Sequence, residues 1–169
     1  MATIVFIEQQ KLRHNLLWSV ALISPLLALI SLLVYQYSTG ILVGDKPMSN
    51  LSLLILIFCY GTPAVLILLY VRLTTIISDE SISYGWNIPI KDLNVIKLEA
   101  IKSCEVIEYG FVGWGYRITK RYGTVFNVDG SKGLQIETKS GYKVLIGTDH
   151  AEELKKMIEE IGFGNAKQD

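Results

Sequence analysis

Two long apolar runs lie in the first half of the chain, and short alternating runs fill the second half. The apolar runs cover residues 16–37 and 51–73. At about 1.5 Å per residue, each run is long enough as a helix to cross roughly 30 Å of hydrocarbon. The pattern predicts two transmembrane helices within residues 16–77. Because the linker of residues 38–50 is short, we expect the helices to form an antiparallel hairpin.

The charges that flank the two runs predict their orientation. Lys11 and Arg13 precede the first run and Arg72 lies near the end of the second, whereas Asp45 and Lys46 lie in the linker. Because positive charge favours the cytoplasmic side, both termini are expected in the cytosol, with the helices in the inner membrane. The first run is longer than the apolar core of a signal peptide, which favours a retained span over a cleaved leader.

Residues 78–164 predict a small cytosolic β domain that ends in one helix. Glycine-containing turns such as Asp129-Gly130 and Ser140-Gly141 separate short strand-like segments. Seven strands at this spacing predict a sandwich or a partly open barrel. With the terminal helix as a cap, the expected domain is an α+β, partly open antiparallel barrel. The predicted strands are 81–84, 86–90, 102–109, 116–120, 124–128, 133–138 and 142–146.

A change of period after residue 148 predicts the C-terminal helix that closes the barrel. Its expected apolar face consists of Ala151, Leu154, Ile158 and Ile161. Asp149 is expected to cap the helix, and Glu152, three residues later, would complete a capping box. Residues 165–169 form a polar tail. In the cytosolic segment of residues 1–15, the β-prone stretch before residue 8 is compatible with either a strand or an interfacial helix.

Several short motifs resemble those of bacterial two-span membrane proteins that carry a pleckstrin-homology-like (PH-like) domain. The resemblance implies a PH-like fold and brings no reaction with it, because a fold does not define a function. In this family a Glu-x-Gln segment precedes the hairpin. The similar segments here are Glu8-Gln9-Gln10, Trp86-Asn87-Ile88-Pro89, Gly113-Trp114-Gly115-Tyr116-Arg117, Asn127-Val128-Asp129-Gly130, Lys132-Gly133, Leu145-Ile146-Gly147-Thr148 and Glu152-Glu153-Leu154.

Composition narrows the classes of function. The 169 residues carry 16 basic and 16 acidic side chains, whereas nucleic-acid binders carry a clustered basic excess. The middle of each apolar run lacks the charged residue that transporters and proton relays need. Cys59 and Cys104 form neither a disulfide framework nor a metal site. We therefore expect no enzyme, no cofactor, no metal, no nucleic-acid partner and no small-molecule substrate.

The stretch of residues 109–123 is the candidate interaction site because it combines aromatic residues, cations and glycines. Such side chains serve as anchors in protein interfaces and at membrane surfaces. The alternative is that Trp114 covers the core of the barrel and the cations lie on a solvated hairpin. The candidate residues are Trp114, Tyr116, Arg117, Lys120 and Arg121, together with Trp86 from the earlier Trp-x-Ile-Pro strand.

The resulting expectation is a non-enzymatic, membrane-anchored binding or scaffold protein, an accessory subunit of a larger membrane complex. Its partners would be membrane lipids and either other membrane subunits or further copies of the chain. The alternative function is a lipid-sensing or regulatory protein that acts alone or as a homo-oligomer.

Overall fold

The protein divides into two compact units. A computed structural model describes residues 4–12, 15–88, 92–110 and 114–162. Residues 12–71 form a helical hairpin, and the remaining described residues form a sheet unit. Several predicted features lie outside the described residues: positions 1–3, the flanking charge of Arg13, the strand end at 89–90, Gly113, the last two domain positions 163–164, and the polar tail 165–169.

The hairpin consists of helices α1 (Leu16–Thr39) and α2 (Asn50–Tyr70), and both are long and apolar enough to cross a membrane. The side chain of Asn15 caps α1 by accepting hydrogen bonds from two backbone amides, and that of Ser49 caps α2. Helix α2 ends three residues before the predicted limit at Leu73, because the chain from Arg72 onward joins a β-sheet.

Side chains from both helices join the hairpin at two levels. Pro25 removes an amide from the hydrogen-bond ladder of α1, and nearby the hydroxyl of Tyr60 donates to the carbonyl of Leu22 over 3.0 Å. Gly61 faces Leu26 so closely that an added Cβ would lie 2.9 Å from Leu26 Cδ1. The backbones of the helices therefore approach each other where a glycine permits it.

The sheet unit contains nine described strands rather than the predicted seven, arranged as two sheets. The strands are β1 (Ile4–Lys11), β2 (Arg72–Ser78), β3 (Ser81–Asn87), β4 (Asn94–Lys97), β5 (Ile101–Glu108), β6 (Gly115–Thr119), β7 (Gly123–Asn127), β8 (Lys132–Thr138) and β9 (Lys143–Gly147). The first sheet has the order β1-β2-β3-β4 and the second has the order β5-β8-β9-β7-β6.

Two features differ from the predicted seven-stranded antiparallel barrel. Strand β1 pairs with β2 although residues 12–71 separate them, and β7 pairs in parallel with β9. The sequence left open that the stretch before residue 8 is a strand that pairs with the β domain. The parallel pairing was not predicted, because sequence alternation does not show which distant strands pair. Side chains also cover part of one face of the second sheet. Val125 and Leu145 are buried there in a cluster with Tyr109 and Tyr122.

Both connections to the helical hairpin leave the sheet unit at neighbouring positions. Lys11 and Arg72 are opposite each other in the β1–β2 ladder, and Arg72 also donates to the side chain of Gln9 over 3.0 Å. Val71 alone separates α2 from β2. The β1–β2 pair therefore holds together the two points at which the chain enters and leaves the hairpin.

The buried carboxylate of Glu8 connects β1 to the segment that follows β9 by hydrogen bonds. Glu8 is 5% exposed, and its Oε2 accepts from Thr148 Oγ1 over 2.6 Å. Its Oε1 accepts from the backbone amide of Asp149 over 2.7 Å and from Gln10 Nε2 over 2.9 Å. The same amide of Gln10 also donates to the carbonyl of Gly147 over 2.8 Å. The Glu-x-Gln segment thus binds the connection after β9.

The N-cap of the C-terminal helix α3 (Ala151–Glu160) lies one residue later than expected. The N-cap position is His150, whose side chain makes no capping hydrogen bond, so the predicted cap at Asp149 is wrong. The expected apolar face is present, since Ala151, Leu154 and Ile158 are buried. The carboxylate of Glu8 lies close to the start of this helix, where the helix dipole favours negative charge.

We expect Glu8→Ala to lower the free energy of unfolding by about 3 kcal/mol, because three donors, two of them on buried side chains, lose a charged acceptor. Denaturant unfolding of the full chain in maltoside micelles, followed by near-ultraviolet circular dichroism, measures the change. Glu105→Ala removes an exposed carboxylate and is the control, with an expected effect of about 0.5 kcal/mol or less. Equal stabilities of the two variants would contradict the assigned role of Glu8.

We expect Gly123→Ala to be far more destabilising than Gly130→Ala. Both glycines have positive φ, 73° and 78°, so each substitution costs about 1–2 kcal/mol in backbone strain. An added Cβ at Gly123 would also overlap the backbone carbonyl of Lys143, whereas at Gly130 it would meet open space. The same unfolding measurement tests the parallel β7–β9 pairing, because equal effects would be inconsistent with this close approach.

Candidate functional site

The candidate residues of the β6–β7 hairpin do not form one cluster: some lie at the start of β6 and others in the turn after it. Tyr116 and Arg117 are neighbours in β6, and their side chains therefore point to opposite faces of the sheet. Lys120 and Arg121 lie in the turn that follows, at the other end of the strand from Tyr116. Trp114 is partly buried immediately before β6.

Tyr116 meets the remaining candidate, Trp86, at a cavity between the two sheets. The cavity has a volume of about 180 Å³. Trp86 comes from β3 in the first sheet, and Tyr116 and Phe126 come from β6 and β7 in the second. The remaining described residues that line it are Gly85, Ile88, Asp92 and Asn94. Two aromatic side chains selected from the sequence thus share one site.

A series of edge-to-face aromatic contacts connects this cavity to the interior. The rings of Tyr116 and Phe126 are 5.3 Å apart at an interplanar angle of 76°. The ring of Tyr84 lies on the other side of Phe126, at 5.4 Å and 76°. Such geometry adds stabilisation beyond the burial of area. Phe126 was not among the sequence candidates because its role depends on contacts between the sheets.

The position of Tyr84 shows how dry the interior side of this site is. Burial raises the pKa of the Tyr84 hydroxyl well above its usual range, and a hydrogen bond with the hydroxyl of Tyr142, at 3.5 Å, raises it further. Tyr84 therefore stays neutral at physiological pH. Asn94 lies on the neighbouring strand and donates from Nδ2 to the carbonyl of Tyr84 over 3.3 Å.

The cations of the hairpin do not converge on the cavity. Arg121 lies over the ring of Tyr122, with Cζ 5.2 Å from the ring centroid, which is a cation–π contact. Arg117 Nε is 3.5 Å from the carbonyl of Trp114. None of the three cations Arg117, Lys120 and Arg121 is among the described residues that line the cavity. They form a separate exposed basic patch.

Strand β6 also exposes an apolar residue that the sequence analysis missed. Ile118 is 76% exposed and Tyr116 is 57% exposed. The two residues are two positions apart, so their side chains point to the same side of the strand. Among the described strands, β6 pairs only with β7, so β6 is an edge strand of the second sheet, and no described strand pairs with its other side. The apolar residue two positions after Tyr116 was a signal for this surface in the sequence.

The buried thiol of Cys104 has no features of a nucleophile. It lies in β5, and burial raises its pKa to about 12, so the thiol stays protonated at neutral pH. Within the described part of the chain, no group of three or more His, Cys, Asp or Glu side chains is arranged to hold a metal ion.

A larger and more open cavity of about 580 Å³ lies at the start of α3. Its lining includes Lys132 and His150, and also the carboxylates of Asp149, Glu152 and Glu153. Lys132 is already 3.4 Å from Glu152. The mixed charges give this surface no clear preference for an anion or a cation.

We expect Cys104 to react with iodoacetamide at least about 100-fold more slowly in the folded protein than after denaturation, because the thiol is buried and protonated. The measurement uses full chains with Cys59→Ala at pH 8, with mass spectrometry of the labelled peptide. The denatured chain is the internal control. Labelling at the same rate in both states would contradict the assigned environment of Cys104.

Comparison with protein-family models, with curated proteins and with solved structures gave no match to this chain.

Proposed function

We propose that the protein is a membrane-anchored binding module without enzymatic activity, and that it acts as an accessory subunit of a membrane complex. Its hairpin would lie in the inner membrane with both termini, and hence the sheet unit, on the cytoplasmic side. The PH-like assignment belongs to this proposal as well. The observation that carries it is the free edge of β6 with its two exposed apolar residues, Tyr116 and Ile118.

An unpaired strand edge favours a partner that adds a strand. The backbone groups of β6 would supply hydrogen bonds, and the side of the strand that carries Tyr116 and Ile118 would supply apolar contacts. Natural proteins normally protect such edges because they promote aggregation. An edge that combines exposed apolar residues with unpaired backbone groups is therefore consistent with a surface that is covered in a complex.

The charges near this edge favour an acidic partner segment. Arg117 lies in β6, and Lys120 and Arg121 follow it in the turn, all with exposed side chains. Complementary charge increases the association rate and selects against other partners more than it adds affinity. The partner that fits best is an extended segment of another membrane protein, with apolar residues on one face and carboxylates on the other.

The same cations favour one alternative function, lipid sensing. Each basic residue near an anionic membrane contributes about 1 kcal/mol of attraction. Three cations would orient a domain that two helices already anchor, without specifying a lipid. In this alternative, the basic patch binds the membrane surface and the protein acts alone or as a homo-oligomer.

We expect Ile118→Ser to reduce recovery of a defined complex at least tenfold, because it removes the apolar contact on the free edge. The test is extraction of the tagged full chain from its native membrane in mild detergent, followed by native-gel sizing and mass spectrometry. Val95→Ser is the matched control, since Val95 is 61% exposed on β4, the free edge of the other sheet.

A photo-crosslinker at position 118 distinguishes the two functions. Crosslinks to one protein, which decrease with Arg121→Gln, support the subunit proposal. Crosslinks only to lipid, with a particle no larger than a homo-oligomer, would overturn it in favour of lipid sensing.

A further inference from the structure

We propose that the cavity between Trp86 and Tyr116, here called the aromatic cavity, binds an alkylammonium group. This inference goes beyond the proposed function, because it concerns a small cationic ligand and not the strand edge of β6. It rests on the aromatic walls of the cavity, on its charge and on its size.

Three different aromatic residues line the aromatic cavity. Trp86, Tyr116 and Phe126 come from three strands in two sheets. The face of an aromatic ring carries partial negative charge, and it attracts an organic cation within about 6 Å of the ring centroid. Several aromatic side chains around one small space commonly bind methylated and quaternary ammonium groups in proteins.

Among the described residues that line the aromatic cavity, the charged one has the sign that a cation requires. Asp92 is the one charged side chain among its described lining residues. The basic residues Arg117, Lys120 and Arg121 belong to the hairpin and do not line it. A carboxylate beside aromatic faces favours a cation that is bulky and weakly hydrated, since a strongly hydrated metal ion would require more oxygen ligands.

The size and the wall structure limit the ligand to a small group. A volume of about 180 Å³ accommodates a headgroup such as choline or ethanolamine but not a larger metabolite. Gly85 keeps one wall close, because a Cβ there would lie 3.3 Å from Asn94 Nδ2. The hydrogen bond from Asn94 to the carbonyl of Tyr84 fixes the position of this amide.

Two sources can supply an alkylammonium group at the cytoplasmic face of a membrane. One is the amine of a zwitterionic lipid headgroup, and the other is a free organic cation in the cytosol. The chemistry of recognition is the same for both, so the experiment must distinguish the sources after it has established binding.

The first experiment titrates choline chloride and ethanolamine hydrochloride into the full chain in nanodiscs that contain only phosphatidylglycerol. The chain has three tryptophans, so Trp18→Phe with Trp114→Phe leaves Trp86 as the fluorescent reporter. We expect saturable changes in Trp86 emission that equal concentrations of sodium chloride do not produce. The uncharged isostere of choline, 3,3-dimethylbutan-1-ol, should bind at least tenfold more weakly.

Two variants test the assigned residues. Asp92→Asn keeps the shape of the side chain and should weaken choline binding at least tenfold, and Tyr116→Leu should do the same. Glu105→Gln removes one exposed carboxylate outside the cavity and should have no effect. Thermal unfolding of each variant shows that it is folded. Unchanged binding in Asp92→Asn, or equal binding of the neutral alcohol, would overturn the proposal.

Repeating the titration in nanodiscs of phosphatidylethanolamine and phosphatidylglycerol identifies the source. A higher apparent dissociation constant for choline supports the lipid headgroup, because the headgroup competes for the cavity. An unchanged constant supports a free cation. Ile118→Ser should bind choline normally, so that failure of the strand-edge proposal and failure of this one are distinguishable.

Discussion

The carboxylate of Glu8 is the group on which the sheet unit depends. A buried negative charge is costly unless hydrogen bonds satisfy it, and here Thr148, the amide of Asp149 and Gln10 all donate to it. These bonds hold β1 in place at one edge of the first sheet. Because β1 and β2 are separated in sequence by the whole hairpin, the position of β1 depends on these bonds and on its ladder with β2 more than on local chain propensity.

The sequence predicted the features that depend on local patterns. The apolar runs predicted both helices, the glycine turns predicted most strands of the second sheet, and the periodicity of residues 151–161 predicted the buried face of α3. Strands β1, β2 and β4 were missed or left open. The β-branched stretch of β2 follows a transmembrane run directly and looked like its continuation, and β1 becomes a strand through its distant partner.

The candidate site shows the same division. The Trp-x-Ile-Pro motif was sufficient to select Trp86, and the aromatic, basic and glycine-rich stretch of residues 109–123 was sufficient to select Tyr116. Only the packing of the two sheets brings them to one cavity. Arg117, Lys120 and Arg121 do not line this cavity, so the expectation that aromatic residues and cations act together at one interaction surface stays a prediction. Phe126 and Asp92 also line the cavity. They were not candidates, because a single sequence does not show which residues of different strands lie together.

The attachment of both helices at Lys11 and Arg72 has a mechanical consequence. A force that pulls Lys11 and Arg72 apart acts at one end of the β1–β2 ladder. The hydrogen bonds of the ladder would therefore break one after another, starting at that end. Such a ladder yields to smaller forces than one loaded in shear, where many bonds must break together. The bonds of Glu8 lie three residues from the junction and would stop this opening after its first steps.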